Sequence, residues 1–206
     1  MPRIARVNEG RRKVACIGDS ITYGYQIRDR SQTYPRILQG LLGEGCEVRN
    51  FGNSGRGILR RARKLNEPRA FIYMPQHQQA LQWGPDVVLC NLGINDLMDW
   101  DRFGHEFVTD YRALLADYRE LACGARIVIW HRLAPLFPGR PFHGDERIEV
   151  LNDRIAAVAR LEGVETIEME EPLRGYPEWF PDKLHPNEKG AAQIARVTAR
   201  YLQHGD

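Results

Sequence analysis

Four short segments bring together residue types that can do chemistry. They are Gly18-Asp19-Ser20, Asn53-Ser54-Gly55, Gly93-Ile94-Asn95-Asp96 and Asp182-Lys183-Leu184-His185. Ser20 offers a hydroxyl nucleophile. Gly55 lets a backbone N–H come close to a developing oxyanion, and Asn95 can add a side-chain amide donor. Asp182 and His185 are three positions apart. One short turn can then set the carboxylate against one imidazole nitrogen and aim the other at a serine. Nucleophile, oxyanion donors, base and orienting acid are the parts of serine-dependent acyl transfer. Each segment alone has a plain reading: a turn serine capping a helix, a loop glycine, a turn asparagine, a surface ion pair. Their order, and the strand signals before them, favour the chemical reading. The surroundings of Ser20 are not G-x-S-x-G, so no ordinary nucleophile elbow is present.

The elements that must position these residues alternate. Apolar runs predict strands at Val14–Ile17, Glu47–Phe51, Asp86–Leu92, Arg126–Trp130 and Val164–Ile167. The third is apolar enough to be buried on both faces. Helical spacing predicts helices over Tyr34–Leu42, Gln76–Trp83, Phe103–Leu121 and Arg147–Leu161. Asn187 can cap a last helix running to about Leu202. Strands separated by helices predict an α/β fold with a five-stranded, mostly parallel sheet covered on both faces. In such a sheet, ligands bind at the carboxyl ends of the strands near a switch in strand order. A flavodoxin-like order puts that switch between the first and third strands, with Ser20 and Asn95 flanking it. Two long loops, Arg56–Pro75 and Ala134–Asp145, are candidates for function.

The chain has 206 residues, 43% hydrophobic and 27% charged, which suits one domain over residues 1–206. A net charge of +2 gives no global drive toward nucleic acid or membrane, and no apolar run is long enough to span a bilayer. Neither partner is expected, and the charge says nothing of oligomeric state. Met1–Lys13 is short and basic and does not read as a signal peptide. Cys16, Cys46, Cys90 and Cys123 form no C-x-x-C pair and show no metal-type spacing. Cys16 and Cys90 read as buried free thiols. These features favour a reducing, cytoplasmic setting, with export open should the natural chain begin earlier.

His77, His105, His143 and His204 sit in polar stretches and read as exposed. His131 ends the fourth strand and points to the same sheet edge as the four segments. A metal site from His131, His143 and His185 lacks any familiar spacing, so no metal and no cofactor are expected. The stretch from Arg56 to Lys64 holds five basic residues and no acid. It reads either as a solvated helical face or as a site in which Arg56, beside Gly55, binds a substrate anion. Arg56, His131 and Asp19 are the candidate substrate contacts.

In this order the four segments resemble the SGNH hydrolase superfamily, the GDSL esterases and lipases. That name lists Ser, Gly, Asn and His, which match Ser20, Gly55, Asn95 and His185; Asp182 matches the triad acid. The resemblance runs from about Lys13 to Leu202. It implies a three-layer α/β/α sandwich, no cofactor, and hydrolysis of esters through an acyl-enzyme. Ser20, Asp182 and His185 would be catalytic, and Ser20, Gly55 and Asn95 would form the oxyanion hole. Gly18–Gly24 and Leu184–Gly190 most resemble sialate and other carbohydrate O-acetylesterases, which implies a small-molecule or oligosaccharide acetyl ester as substrate. The alternatives are a lysophospholipase- or thioesterase-type lipid hydrolase, walled by Phe137, Phe142, Trp179 and Phe180, or a non-catalytic carbohydrate-binding member of the fold. The polar loops count against the first and the intact set of residues against the second.

Overall fold

The computed structural model describes residues 10–131, 137 and 145–204. Its main sheet has five strands, all parallel: β1 (Arg12–Gly18), β2 (Cys46–Gly52), β5 (Val87–Asn91), β6 (Arg126–His131) and β7 (Glu165–Glu168). The strand order is β2-β1-β5-β6-β7, the flavodoxin-like order, with the switch between β1 and β5. The two remaining strands, β3 (Arg63–Lys64) and β4 (Glu67–Pro68), pair as a small antiparallel hairpin inside the long loop after β2. Every residue of β5 is buried, as its continuous apolar run demands. The last strand starts at Glu165, one residue later than its apolar pattern suggests.

Two short helices, α1 (Ser20–Tyr23) and α7 (Glu171–Arg174), leave the carboxyl edge after β1 and β7. The layer helices are α2 (Tyr34–Leu42), α3 (Pro75–Trp83), α5 (Phe107–Arg119), α6 (Asp145–Glu162) and α8 (Glu188–His204). Helices α2 and α8 pack on each other, and α2 covers β2. On the other layer α3 meets α5 through His77, and α5 packs on α6. Asn187 caps α8 as its sequence suggests, accepting from the N–H groups of Lys189 and Gly190 at 3.0 and 3.2 Å. The expected helix over 103–121 is divided. A one-turn helix, α4 (Trp100–Phe103), and a tight turn at Gly104–Glu106 precede α5.

One hydrophobic core runs through both layers. It includes Ile17, Leu89, Val128, Trp130, Leu114, Ile155 and Ile194, all essentially inaccessible. Cys16 and Cys90 lie in this core as free thiols. Burial pushes both up to about 12, which leaves them inert. The expectation of an exposed His77 fails. Its ring is fully buried, with Nδ1 3.1 Å from the Tyr118 hydroxyl and Nε2 2.8 Å from Asp117. Polar neighbours in sequence do not predict exposure when a second helix covers the same face. No described helix is long and apolar enough to cross a membrane.

Candidate active site

The strand register brings the motif residues to one edge. Gly18 pairs with Gly52 on one side and with Asn91 on the other. Ser20, Gly55 and Asn95 therefore leave the sheet from three adjacent strands within a few residues of one line. Asp19 caps α1, its Oδ1 accepting from the Ile21 N–H at 2.9 Å. That bond turns the chain sharply after β1 and starts α1 at Ser20.

Ser20 Oγ lies 2.8 Å from His185 Nε2, and His185 Nδ1 lies 2.6 Å from Asp182 Oδ2. The far turn is built for this contact. Lys183 takes φ 67°, in the left-handed region, and its N–H bonds the Phe180 carbonyl at 2.8 Å. The turn then folds back, so that Asp182 Oδ1 accepts from the N–H groups of Leu184 and His185 at 3.1 and 2.7 Å. Burial alone would raise the Asp182 carboxyl. The hydrogen bonds from the His185 ring, the His185 N–H and the Leu184 N–H outweigh it and hold Asp182 below the ordinary carboxylate value. An ionised Asp182 fixes the tautomer with hydrogen on Nδ1, which frees Nε2 to accept the serine proton.

The opposite wall comes from the loops after β2 and β5. Gly55 sits at φ 75°, a conformation that favours glycine. The N–H groups of Ser20 and Gly55 have no hydrogen-bond partner among the described residues. The Asn95 amide bridges the two loops, donating to the Arg56 carbonyl at 3.0 Å and reaching Asp19 Oδ2 at 3.4 Å. Two free N–H groups and an anchored amide are an arrangement that can hold a developing oxyanion.

Asp96, which directly follows Asn95, has a structural part that its sequence context does not announce. It is 2% exposed, and its two oxygens accept from the N–H groups of Ile58 and Leu59 at 2.8 to 2.9 Å. Burial pushes its carboxyl up to about 7, against the pull of those N–H groups and of Arg69. Gly57 must be glycine beneath it, since a Cβ there would come within 2.5 Å of the Asp96 carboxylate. Asp19 is likewise buried and pushed up to about 7 by desolvation. It lies below Ser20 and not at the surface. Two neighbours of the dyad also carry no sequence signal. The Tyr25 ring lies 4.6 Å from the His185 ring, and Gln26 Nε2 reaches Asp182 Oδ2 at 3.3 Å.

The other expected contacts are distributed as follows. His131 is half-buried at the carboxyl end of β6. Arg56 donates through Nε to Asn53 Oδ1 and through Nη1 to the Pro68 carbonyl, both at 3.1 Å. The stretch Arg56–Lys64 is not a helical face. It bends into the β3–β4 hairpin, because Asp96 captures the N–H groups of Ile58 and Leu59 and both side chains go into the core. Phe180 is buried and packs on Phe137, ring centroids 5.2 Å apart, so it belongs to the core. His143 and Phe142, with most of the Ala134–Asp145 loop, lie outside the described residues. Among the described residues, no three His, Cys, Asp or Glu side chains converge as a metal site.

The model of the GDSL-like lipase/acylhydrolase family matches residues 16–193, almost the whole chain. The chain belongs to that family. This GDSL-type hydrolase is also 34% identical over 214 residues to an acetylxylan esterase from Xylanibacter ruminicola. That match covers 93% of the chain and 43% of the relative, so the chain spans less than half of that protein's length. Among solved structures, a carbohydrate acetylesterase from Sinorhizobium meliloti superposes with a TM-score of 0.77 at 19% identity, covering 95% of this chain and 100% of that one. An aryl esterase from M. smegmatis gives 0.71 at 19% identity, covering 93% and 98%. At such identity the two structures establish the GDSL-type hydrolase fold and nothing finer.

Proposed function

We propose that the protein hydrolyses short-chain acyl esters, chiefly O-acetyl groups on a carbohydrate, through an acyl-enzyme on Ser20. Ser20 Oγ attacks the acyl carbon as His185 Nε2 takes its proton. Asp182 holds the imidazole and stabilises its charged form. The oxyanion is held by the N–H groups of Ser20 and Gly55 and by the Asn95 amide. The Asn95 amide keeps its 3.0 Å bond to the Arg56 carbonyl, and its second N–H, which makes only the 3.4 Å contact with Asp19, is the one the oxyanion would compete for. His185 then gives its proton to the leaving sugar oxygen. Water, deprotonated by His185, attacks the acyl carbon, and Ser20 leaves with the returned proton.

The observation that carries this reading is the 2.8 Å contact between Ser20 Oγ and His185 Nε2, together with two N–H groups, of Ser20 and Gly55, that have no partner among the described residues. The choice of acetyl and sugar is supported by the acetylxylan esterase relative. The test is acetate release from acetylated sugars and from p-nitrophenyl acetate. Ser20→Ala is expected to reduce turnover to a residue on the order of a millionth, as loss of a triad nucleophile does. Turnover near the wild-type rate in a folded Ser20→Ala protein would remove the mechanism.

A further inference from the structure

A cavity of about 340 Å³ opens directly beside Gly55. Four cations, Arg56, Arg63, Lys64 and Arg69, and one acid, Asp99, lie on its walls. Arg69 and Asp99 answer each other at 3.1 Å, and both are nearly buried. The other three cations make no ion pair with a carboxylate among the described residues. Arg56 spends its guanidinium on Asn53 Oδ1 and the Pro68 carbonyl, and Arg63 donates to the carbonyls of Arg60 and Ala62. Those acceptors are neutral, so both charges stay uncompensated. The Lys64 side chain makes no hydrogen bond or ion pair with any described residue, although Glu67 stands opposite it across the hairpin. The contrast with other arginines matters. Arg49, Arg61, Arg126 and Arg147 each hold a Glu or Asp within 3 Å. Other exposed cations, Arg36 and Arg200 among them, also make no ion pair with a described residue, so the local feature is that three such charges gather around one concave site.

We propose that this cavity is a subsite for a carboxylate carried by the alcohol part of the substrate, so that the preferred ester is that of a sugar acid. The inference rests on the ester-hydrolase reading above. Gly55 belongs both to the cavity wall and to the oxyanion site, so a group seated here is joined to the reacting ester. The volume falls at the lower end of the range for small-molecule sites, which suits a sugar ring and far exceeds an acetyl methyl. The alcohol, not the acyl group, is what it can hold. Arginine forks bind carboxylate in two parallel hydrogen bonds, and a lysine adds a point charge. Arg56 and Arg63 are each held by two neutral acceptors, Arg63 through Nη1 alone, so the exposed Lys64 is the cation most able to adjust to the ligand. Being exposed, Arg63 and Lys64 are screened by salt.

The test compares kcat/KM for a matched pair, acetylated methyl glucuronoside and acetylated methyl glucoside. The acid is expected to be preferred about tenfold or more at low ionic strength, the worth of one charge-assisted hydrogen bond. The preference should shrink in about 0.5 M salt. Lys64→Glu, whose native side chain supports no contact in the fold, should abolish it, and Arg63→Gln should reduce it. Arg200→Ala, an exposed control toward the far end of α8, should leave the ratio as in wild type. Equal kcat/KM for the pair, or a ratio unmoved by Lys64→Glu, would overturn the subsite. Failure of p-nitrophenyl acetate hydrolysis would instead refute the esterase reading. The subsite is then judged by saturation-transfer NMR of the unacetylated glycosides. Selective binding of methyl glucuronoside, lost in Lys64→Glu, supports it; equal or absent binding of both glycosides overturns it.

Discussion

Replacing Asp96 by alanine separates a positioning carboxylate from a catalytic one. The Asp96 oxygens are the acceptors for two buried N–H groups, of Ile58 and Leu59. In Asp96→Ala both donors lose their acceptor away from water. Each orphaned donor costs about 1–3 kcal/mol, so the total is about 2–6 kcal/mol. For a chain of this size each kcal/mol moves Tm by about 2–4 °C, which gives a fall of roughly 5–20 °C. The same N–H groups fix the start of the loop that carries Gly55. Its displacement should cost part of one oxyanion donor, up to about 10²-fold in kcat, with KM little changed. Asp96→Asn should fall between. Its Oδ1 still accepts from both Ile58 and Leu59, while its NH₂ in place of Oδ2 faces the Ile58 N–H, so one of three hydrogen bonds is lost to a donor–donor contact and neither donor is orphaned. Thermal unfolding followed by circular dichroism, with steady-state kinetics on p-nitrophenyl acetate, reads both effects. If Asp96→Ala melted within 2 °C of wild type and kept its kcat, Asp96 would not be what holds the oxyanion loop.

Three further outcomes are expected. Asn95→Ala should lower kcat on the order of 10²–10³-fold by removing one oxyanion donor, whereas a change in KM alone would make Asn95 a substrate-positioning residue. Activity should fall on the acid side of the kcat/KM profile as His185 takes up a proton, since only the neutral ring accepts from Ser20. Asp182, held below the ordinary carboxylate value, stays ionised through that limb; Asp182→Asn should lower the plateau and not merely shift the limb, and an unchanged plateau would separate Asp182 from catalysis. Among p-nitrophenyl acetate, butyrate and octanoate, kcat/KM should be highest for acetate, and octanoate as best substrate would move the reading toward a lipid hydrolase.

The convergence of the proposed catalytic residues was legible because each follows an element with a strong local signal. Ser20 and Asn95 come directly after the apolar runs of β1 and β5, and these runs are neighbours in the sheet. The parallel order then brings their ends to one edge without further information. His185 was legible through Asp182, because both sit in one turn. Asp96 was not, although it adjoins Asn95. Its partners Ile58 and Leu59 are 38 and 37 positions away, and no spacing rule links a carboxylate to N–H groups at that distance. His77 failed for the same kind of reason. Gln78 beside it is exposed and Gln76 half-buried, but the face between them meets Tyr118 and Asp117 on α5. The basic stretch showed its charges in the sequence and hid their pairing. Only the fold sets Arg61 against Glu106 and leaves Lys64 alone.

A common device underlies the edge of the sheet. Asp19 accepts from Ile21, Asp96 from Ile58 and Leu59, and Asp110 from the Arg60 N–H at 2.8 Å. Three shielded carboxylates thus take the backbone N–H groups that surround the site and fix the loops from below. Each pays in desolvation, which raises all three above the ordinary carboxyl value. In return, the N–H groups of Ser20 and Gly55 stay without acceptors among the described residues while the chain around them is held in place. A donor that is fixed and unpartnered needs no reorganisation when an oxyanion forms beside it, and that is the condition under which such donors lower a barrier most. On the upper surface of the same loops the one acid lining the cavity, Asp99, is taken by Arg69, and Arg56, Arg63 and Lys64 make no ion pair with a described residue. The loop thus commits the N–H groups of Ile58, Leu59 and Arg60 to buried aspartates, while of its charged side chains Arg56, Arg63 and Lys64 line the cavity and Arg61 pairs with Glu106.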